Sequence, residues 1–582
     1  MNEVTGESHG AGGLPLSTGG GQIVTVSYAE RPWLAAYPKE VPPALTYEDT
    51  ALHDLLEQAA AKHGGVTATI FYGAKLTYRQ VHEQARRLAS GLLKLGVRRG
   101  DRVAIMLPNC PQAVIAYYGA LMAGAIVVQV NPLYMPRELK HQIADSGARV
   151  MIALDLTYPK VSQIDIPQVI YTSMPEYMPI PMRWIAPLKL KPPTIKYGGG
   201  VLRWADLLQQ APLEKAAQVN PAEDLALLQY TGATTGLAKG CMLTHRNLVA
   251  NVKQTEAWLY RAKRGNELVV LAALPFFHVY GMTTIMNLTV RLGGTMVLQP
   301  KFEPKESLKL IQKHRPSIFP GAPTMYVAIN HMPGADKYSL DSIDACISGA
   351  APLPVEVQTT FEQLTGGRLV EGYGLTEASP VTHANPIWER RKEGSIGLPW
   401  PDTEAKIINS ETGEEVPQGE VGELVIRGPQ VMKGYWNRPD ATAKSLRDGW
   451  LYTGDMARMD EEGFFYIVDR KNDMIIAGGY NIYPREVEEV LYLHRGIKEA
   501  AVVGVPDPYR GETVKAFIVP KDGYTLDAAE IMEFCRQNLA AYKIPRQIEF
   551  RTELPKSLVG KVLRRVLLEE EKAAQGVREE VG

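Results

Sequence analysis

The segment LALLQYTGATTGLAKGCMLTHRN, residues 225–247, decides which fold and which chemistry the chain can support. Within it, a loop from Tyr230 to Gly240 carries three glycines and three threonines and joins an apolar run to a helical segment. Such a loop exposes backbone N–H groups and hydroxyls, and Lys239 adds a positive charge, so it offers the donors that a polyphosphate requires. It departs from the G-x-x-x-x-G-K-[ST] nucleotide loop because Gly240 follows Lys239. A flexible turn explains the same residues, so this segment alone leaves phosphate binding open.

On both sides of this segment the chain alternates helical periodicity with short apolar runs, which predicts parallel sheets covered by helices. The predicted strands include DRVAIMLP (101–108), ARVMIAL (148–154) and TMVLQP (295–300). The predicted amphipathic helices include LHDLLEQAAAKHG (52–64) and YRQVHEQARRLASGLLKLG (78–96). From about Gly397 short β-runs alternate with glycine and proline turns, as in a small barrel or meander.

A charged stretch, DRKND at 469–473, separates this part of the chain from a further set of helices and strands. The helices PREVEEVLYLH and AAEIMEFCRQNL and the strands EAAVVGVP and TVKAFIVP suffice for a compact α+β unit. The sequence therefore predicts an α/β protein with a second, smaller domain at its C-terminal end.

Bulk composition excludes several classes of protein. The 582 residues exceed a single hydrophobic core, and a formal net charge of −1 provides no field to attract nucleic acid. Cys110, Cys241, Cys346 and Cys535 lie far apart, without zinc-like or thioredoxin-like spacing, which favours a reduced, cytoplasmic protein. The first residues lack a basic region followed by an apolar stretch, so we expect a flexible extension and not a signal peptide.

One uncharged stretch, Val103–Met135, raises the question of a membrane span, because Ala113–Val130 is long enough to cross a bilayer. Proline at 111 delays the helix, glycine at 124 interrupts it, and the β-branched run IVVQV follows. The pattern therefore predicts a buried helix, a glycine stop and a buried parallel strand.

A basic stretch that also contains aromatic and aliphatic residues is a second possible site of membrane contact. No acidic residue lies between Glu176 and Asp206. Its five basic residues are interleaved with large apolar ones such as Trp184, Ile185 and Leu188; the basic residues are Arg183, Lys189, Lys191, Lys196 and Arg203. Such a patch can contact anionic lipid headgroups, while a solvated, proline-rich loop is the alternative. Peripheral membrane contact stays open at this point.

Three further motifs carry groups suited to a nucleotide. EGYGLTE (371–377) supplies a ring that can stack on a purine, a hydroxyl for a phosphate, and Glu377 for a phosphate-bridging magnesium ion. YTGD (452–455) supplies Asp455, an acid of the type that accepts from ribose hydroxyls, and Arg470 follows. PKSLVGK (555–561) ends in Lys561, which on residue type alone is a solvated surface charge.

Taken in order, the Thr/Gly/Lys loop, YGLTE, YTGD, DR and GK resemble the adenylate-forming family of acyl-CoA synthetases, peptide-synthetase adenylation domains and luciferases. The resemblance runs from about Tyr47 to Glu570. Five other segments are most similar to bacterial long-chain fatty acid–CoA ligases: PFFHVYG (275–281), FPGAPTMY (319–326), SGAAPLP (348–354), GGYNIYPREVEEVL (478–491) and GVPDPYRGETVKAF (504–517).

The resemblance implies ATP-dependent activation of a long-chain fatty acid to acyl-AMP with release of pyrophosphate, followed by transfer to CoA. It implies ATP, Mg2+ and CoA, and no nucleic acid, and it leaves a homodimer open. A ligase for aryl or medium-chain acids, an enzyme that loads a carrier protein, and an oxygen-using luciferase are alternatives. A catalytically silent lipid-binding protein is the alternative from another class.

The resemblance also implies roles for individual residues. Lys561 would bridge the fatty carboxylate and the α-phosphate, Thr376 would reach that phosphate, and Glu377, with Thr231 nearby, would bind the metal. The implied ATP and AMP site comprises Thr231, Gly232, Ala233, Thr234, Thr235, Gly236, Lys239, Gly349, Ala350, Tyr373, Gly374, Asp455 and Arg470. The implied acyl pocket comprises His278, Val279, Tyr280, Gly281 and Tyr326. The implied CoA side comprises Gly478, Gly479, Tyr480 and Asn481.

By the same resemblance, the chain divides into a flexible extension (1–44), an adenylation domain (45–468), a hinge (469–473), a lid domain (474–570) and a charged tail (571–582). The large domain would combine helix-covered sheets with a small barrel, and the small α+β lid would pivot at Asp469 and Lys471. The chain departs from the usual pattern at Ala233, Ala238, Asn472 and Leu558–Val559. Because none of these departures removes a chemical group, we expect altered rates and not loss of function.

Overall fold

The computed structural model describes residues 27–231, 238–471, 473–477, 480–507, 510–557 and 560–581. Several sequence-predicted positions lie outside these residues, namely Gly232, Ala233, Thr234, Thr235, Gly236, Asn472, Gly478, Gly479 and Leu558–Val559. The described part is a mixed α/β structure with a large N-terminal part and a small C-terminal part.

The strands, in chain order, are β1 Thr67–Phe71, β2 Ala74–Thr77, β3 Arg102–Met106, β4 Ile126–Gln129, β5 Val150–Leu154, β6 Gln168–Thr172, β7 Val201–Arg203, β8 Leu225–Thr231, β9 Lys239–Thr244, β10 Val269–Ala272, β11 Thr295–Leu298, β12 Ala345–Ser348, β13 Arg368–Gly374, β14 Val381–Ala384, β15 Leu398–Pro399, β16 Glu404–Ile408, β17 Gly422–Arg427, β18 Gly434–Tyr435, β19 Leu446–Arg447, β20 Trp450–Met459, β21 Phe465–Arg470, β22 Ile475–Ala477, β23 Tyr480–Ile482, β24 Ile497–Asp507, β25 Gly511–Pro520 and β26 Gln547–Phe550.

The helices, in chain order, are α1 Asp54–His63, α2 Tyr78–Lys94, α3 Pro111–Met122, α4 Pro136–Ser146, α5 Tyr158–Val161, α6 Ile180–Leu190, α7 Trp204–Leu208, α8 His245–Trp258, α9 Val279–Gly281, α10 Leu288–Leu292, α11 Pro304–His314, α12 Pro323–Asn330, α13 Val355–Thr365, α14 Pro439–Ser445, α15 Pro484–Tyr492, α16 Ala528–Asn538 and α17 Arg564–Val581. The predicted strands and helices quoted above coincide with β3, β5, β11, α1 and α2, which confirms the sequence pattern there.

The largest sheet has the strand order β18-β9-β8-β4-β3-β5-β6-β7. Its central neighbours β8, β4, β3 and β5 are parallel, and β9 returns antiparallel beside β8. Parallel strands covered by helices on both faces are buried, and β4 is buried along its whole length. The segment Val103–Met135 accordingly forms β3, the buried helix α3 and β4, as predicted, with Gly124 at φ 78° between helix and strand.

Two further sheets cover the middle of the chain. Their strand orders are β10-β11-β1-β2 and β12-β13-β14-β15. Strands β12 and β13 run parallel, with Ser348 opposite Glu371, so their carboxyl ends lie side by side. This placement brings the segments SGAAPLP and EGYGLTE together at one edge of a sheet.

The residues after Gly397 form the predicted meander. Strands β16, β17, β20 and β21 pair antiparallel in succession. Asp455 on β20 lies opposite Arg470 on β21. This sheet therefore aligns two of the candidate ATP-site residues across one ladder.

The C-terminal part has hydrophobic clusters of its own. Its sheet has the order β23-β22-β25-β24, and β26 pairs with β25. One face of the long strand β24 packs against α15 through Ala500 and Val502, and the other face buries Ala501 and Val503 with Leu567 of α17. Every buried member of these two clusters lies at or beyond Ile475.

The basic stretch after Glu176 differs from one expectation. Residues 180–190 form the helix α6 and not a loop, so the loop interpretation is wrong for this part. Pro181 lies in the first turn, where a proline costs no hydrogen bond. Within the described ranges, no helix combines the length and apolar character needed to cross a bilayer.

Candidate active site

The ends of the glycine- and threonine-rich loop are fixed by two paired strands. Thr231, the last residue of β8, lies opposite Lys239, the first residue of β9. The Lys239 ammonium lies 4.8 Å from the ring centroid of Tyr435 on β18, the strand that pairs with β9. The hairpin therefore presents Lys239 at the edge of the largest sheet, beside an aromatic ring.

The candidate adenine-binding residues come together at the carboxyl ends of β12 and β13. Gly349 and Ala350 follow β12 directly, and Tyr373 and Gly374 end β13, the parallel neighbour. Ligands of α/β proteins bind at this end of parallel strands. Ala350 has φ 73°, a left-handed conformation that is uncommon for alanine and that clusters at functional sites.

The candidate ribose-binding residues form one ionic group. The Arg470 guanidinium lies 3.3 Å from the Asp455 carboxylate, and the Tyr373 hydroxyl donates a hydrogen bond to the same carboxylate. Asp455 is buried. Burial, followed by the charge of Asp455, raises the pKa of the Tyr373 phenol, so Tyr373 remains a donor at neutral pH. The two motifs YGLTE and YTGD therefore meet through a direct side-chain contact.

Glu377 and Thr376 lie in a short 3₁₀ turn, Thr376–Ala378, directly after this edge. The Glu377 carboxylate accepts a hydrogen bond of 2.7 Å from the hydroxyl of Tyr435, the same tyrosine that lies under Lys239. The backbone oxygen of Glu377 accepts from the Met432 amide. Lys239 and Glu377, from two distant motifs, are thus held around one tyrosine.

Among the residues that the structure describes, the site offers a magnesium ion one carboxylate, that of Glu377, and not a cage of protein ligands. The described residues include no group of three or more histidine, cysteine, aspartate or glutamate side chains able to form a metal cage. Magnesium characteristically uses one or two carboxylates together with substrate phosphates and waters. Glu377, half-buried beside Lys239, is a carboxylate of the type that would hold the ion against bound phosphates.

Lys561 of the C-terminal part lies at this same site. Burial, followed by the nearby charge of Arg470, lowers the pKa of Lys561 to about 8, while Asp455 opposes the shift. Burial, followed by the charge of Lys561, lowers the pKa of His278 to about 4. The imidazole of His278 is therefore neutral above about pH 5, and its Nδ1 accepts from the Tyr280 amide.

A tight turn holds Lys561 in this position. The Lys561 amide donates to the Ser557 hydroxyl, and the Ser557 amide donates to the Lys561 carbonyl. Gly560 has φ 76°, and a Cβ atom there would lie 2.0 Å from Oγ1 of Thr324 in the large part. Only glycine allows this close approach, so the backbone of the turn docks directly onto α12.

The predicted hinge residues contact both the large and the small part of the molecule. Asp469 is buried and accepts hydrogen bonds from the backbone amides of Arg470 and Arg485. Arg564 of α17 lies 3.2 Å from the same carboxylate. Lys471 lies 3.1 Å from Glu423 of the meander, and its amide donates to the Gly454 carbonyl.

The candidate acyl side lies behind His278. Val279–Gly281 forms α9 and leads into a π-helix, Met282–Asn287, a rare element that is frequent at functional sites. A small apolar cavity of about 10 Å³ borders this element; its lining is Thr255, Leu259, Tyr280, Thr284, Ile318, Pro320, Ala345, Ile347 and Val381. Tyr326 is buried next to this lining: its ring packs against Phe319 and Phe361, and its hydroxyl donates to the Phe319 carbonyl and lies 3.4 Å from the Ile347 carbonyl.

Of the candidate CoA-side residues, the described ones are Tyr480 and Asn481, which begin β23. They pair with Ala477 and Ile476 of β22 at the edge of the C-terminal sheet. Strand β23 is thus the edge strand of this sheet, about 80 residues before Lys561 in the chain.

Two family profiles match the chain: AMP-binding enzyme over residues 56–436, and AMP-binding enzyme C-terminal domain over residues 486–561. The chain belongs to the AMP-binding enzyme family. Among relatives of this family, the long-chain-fatty-acid–CoA ligase of Bacillus subtilis (strain 168) is 53% identical over 552 residues, covering 93% of this chain and 98% of the relative. The enzyme of the same name from Salmonella typhimurium (strain LT2) is 41% identical over 556 residues, covering 92% and 98%.

Solved structures of AMP-binding enzymes have the same fold. ATP-bound MatB from Rhodopseudomonas palustris superposes with a TM-score of 0.78 at 29% identity, covering 90% of this chain and 99% of that one. The match includes both the large and the small part of the chain, so the mixed α/β architecture with a small C-terminal domain is that of the family.

Sequence reasoning missed three contact residues in this site. Tyr435 joins Lys239 to Glu377, Thr324 receives Gly560, and Arg485 touches the hinge region. Tyr435 lies in the run KGYW, where an aromatic residue after a glycine was a signal that could have drawn attention. Thr324 and Arg485 lie in segments that resemble the family, but their contacts are with residues far away in the chain, so no local signal marks them.

Proposed function

We propose that this chain is an ATP-dependent long-chain fatty acid–CoA ligase that forms an acyl-adenylate and then an acyl-CoA thioester. The observation that carries the proposal is the ionic group of Asp455, Arg470 and Tyr373 at the end of β13, together with the docking of the Lys561 turn on the large domain through Gly560 and Thr324. This docking brings a cation from the small domain to the candidate nucleotide residues. The names and high identities of the two relatives support the same reaction.

Each group has a role in adenylate formation. A carboxylate and the α-phosphate of ATP repel one another, and a cation between them stabilises the charge that develops in the transition state. Lys561 supplies that cation, Thr376 and Lys239 donate to phosphate oxygens, and Asp455 accepts from the ribose. Mg2+ held at Glu377 supplies further neutralisation of the phosphates when it is bound. Neutral His278 borders the acyl carboxylate without adding a second positive charge.

The long-chain acyl substrate is supported by the names of the two relatives, and we place its path along the buried apolar residues that follow His278. Each buried CH2 contributes about 0.8 kcal/mol, so an apolar path through this region favours long chains over short ones. A ligase for aryl or medium-chain acids uses the same nucleotide residues and differs only here. Release of pyrophosphate is therefore measured with ATP and Mg2+ across acids from acetate to oleate, with and without CoA. CoA-dependent turnover that rises with chain length supports the proposal; turnover with aromatic acids alone would contradict it.

We also propose that the enzyme contacts membranes peripherally through α6. Large apolar side chains of this helix are exposed to solvent, including Ile180 at 73%, Trp184 at 76% and Leu188 at 75%. These three recur every four residues and so share one face. Arg183 and Lys189 are exposed beside that face. An apolar face bordered by basic residues is typical of helices that lie at the surface of an anionic bilayer.

Cosedimentation with vesicles tests this contact. The variant Trp184→Ser/Leu188→Ser is expected to lose most of its binding to phosphatidylcholine vesicles containing phosphatidylglycerol, because burying such a side chain contributes about 1.5–3 kcal/mol. Leu493→Ser is the matched control, since Leu493 is 72% exposed on the C-terminal domain. Equal binding of the wild type and the double variant would contradict the assignment. Equal binding of the wild type to vesicles without anionic lipid would show that the basic residues do not contribute to the contact.

The remaining boundaries and location are proposals of the same kind. We place the adenylation domain at 45–468, the hinge at 469–473 and the lid at 474–570, in agreement with the separate hydrophobic clusters beyond Ile475. The four cysteines are free and buried, which favours a reducing compartment such as the cytoplasm.

A further inference from the structure

Arg485, the second residue of α15, is a buried arginine without a role in the reaction described above. It is 8% exposed. Its backbone amide donates to Asp469 at 2.7 Å, and its Nη1 donates to the Ile467 carbonyl at 2.8 Å. Its Nε donates to Glu489 at 3.0 Å, and its Nη2 lies 3.8 Å from the Glu371 carboxylate. Burying an arginine is costly unless its charge is paired and hydrogen-bonded, so these three hydrogen bonds and one ion pair are what allow Arg485 to be buried here.

These contacts join the two parts of the molecule. Arg485 and Glu489 belong to α15 of the lid, whereas Ile467 lies on β21 and Glu371 on β13. Glu371 is the first residue of the EGYGLTE segment that ends in Tyr373 and Glu377. Rotation about the proposed hinge separates the lid from everything before Asp469, so it breaks the contacts of Arg485 with Ile467 and Glu371.

The lid transmits the position of Arg485 to Lys561. Helix α15 packs on one face of β24, and Val562, the residue after Lys561, packs against the cluster on the other face. Arg485 and the Lys561 turn are therefore attached to the same strand from opposite sides. They contact the large domain at two separate places, Arg485 at Glu371 and Gly560 at Thr324.

We propose that Arg485 is a positioning residue that pins the lid in the orientation in which Lys561 reaches the ATP site. The inference rests on the proposed function, because it assigns Arg485 to the adenylate-forming half of that reaction. When the lid rotates away for thioester formation, the contacts of Arg485 with the large domain are released. Arg485 then contributes nothing to the second half-reaction.

The surroundings of Glu371 support this assignment. Burial raises the pKa of Glu371 to about 7; Arg485 and the amide of Leu353 oppose the shift, and Glu489 adds to it. Without Arg485 the carboxylate stays buried and loses its cationic partner, an arrangement that is strongly unfavourable. Removal of Arg485 should therefore destabilise the docked orientation of the lid more than removal of an exposed arginine would.

Arg564 contacts the hinge differently and serves as a contrast. It lies near Asp469, but its other carboxylate partners are Asp473 and Glu488. Both of these lie after the pivot, so Arg564 mainly ties α17 to α15 and to the end of the hinge within the lid. Arg485 is the arginine whose guanidinium reaches across to β13.

The experiment measures the two half-reactions separately. The first is single-turnover release of pyrophosphate from ATP, Mg2+ and palmitate without CoA; the second is thioester formation from synthetic palmitoyl-AMP and CoA. Arg485→Gln is expected to slow the first roughly 10-fold to 100-fold, in line with loss of a buried charge contact. The second half-reaction should stay at the wild-type rate, which also shows that the variant is folded.

Two further variants complete the test. Arg536→Gln, in which an exposed lid arginine loses its pairing with Glu533, should leave both half-reactions unchanged. Arg485→Lys keeps a charge but lacks the planar fork of donors, so it should recover only part of the first half-reaction. Equal losses in both half-reactions for Arg485→Gln, or no loss in the first, would overturn the inference. Failure of the wild type itself to release pyrophosphate with any acid would instead overturn the proposed function.

Discussion

Replacement of Lys561 by alanine removes the ammonium group that the docked lid brings to the ATP site. In the structure this group is half-buried beside Arg470, with Asp455 as a compensating charge. We expect the Lys561→Ala variant to lose adenylate formation and to keep thioester formation from synthetic acyl-AMP. The reason is that, in the proposed mechanism, the lid brings Lys561 to the site for adenylate formation only.

The site holds this cation at a cost, because burial and the charge of Arg470 lower the pKa of Lys561 from 10.5 to about 8. Arriving anions, the carboxylate and the phosphates, can offset that cost. Loss of one transition-state donor typically slows a reaction by about 10²–10³-fold, and we expect a loss of this size for adenylate formation by the variant.

Single-turnover release of pyrophosphate gives the first rate, and a thiol-consumption assay with acyl-AMP and CoA gives the second. The pH dependence provides an independent check. Because the pKa of Lys561 is lowered, the ammonium form predominates only below about pH 8. In the wild type, kcat/KM for adenylate formation should therefore decline as the pH rises through about 8, and the residual rate of Lys561→Ala should lack this decline. Equal loss of both half-reactions, or an unchanged alkaline decline in the variant, would refute the reasoning.

Three other substitutions address the remaining groups. Glu377→Gln should raise the Mg2+ concentration needed for half-maximal adenylate formation, and an unchanged metal titration would count against the metal assignment. Asp455→Asn removes the charge that pairs with Arg470 and should raise KM for ATP ~10-fold, in keeping with loss of a charged hydrogen bond; initial rates at varied ATP measure it. Thr284→Phe enlarges a buried side chain of the π-helix that follows His278. If the acyl chain passes this element, as proposed, the preferred acid should shift toward shorter chains by about 0.8 kcal/mol for each CH2 that no longer fits; equal shifts in kcat/KM for octanoate and palmitate would contradict the position of the acyl path.

Local pattern was sufficient for much of the fold. The uncharged stretch Val103–Met135 divided correctly into strand, helix and strand because prolines and glycines punctuate it. The change of texture after Gly397 correctly indicated an antiparallel meander. In both cases the decisive interactions are between residues close in sequence, so the sequence contains the whole signal.

The site was predictable as a set of motifs but not as a geometry. The contact of Tyr373 with Asp455 joins residues far apart in the chain, and it exists because β13 and β20 belong to neighbouring sheets. Tyr326 is a further example: its packing against Phe361 depends on contacts between α12 and α13 that the sequence does not display, and its role in the acyl pocket stays a prediction. Helix α6 was missed because its prolines favour a loop by propensity. Pro181 lies in the first turn, where it costs no hydrogen bond, whereas Pro187 lies inside the helix and removes one, so propensity alone argues against the helix that forms.

Helix α6 also has a consequence for the local dynamics of the molecule. None of the side chains of this helix, every residue of which the structure describes, is buried, so the stability of its backbone hydrogen bonds depends on the helix itself and not on packing against the sheets. An isolated helix of 11 residues is marginal in water. Its amide protons should exchange with solvent deuterium far faster than those of the buried helix α3, through opening events that leave the rest of the chain folded. A lipid surface that covers the apolar face would slow this exchange, and mass spectrometry would detect the change in the peptide containing Trp184 without any mutation.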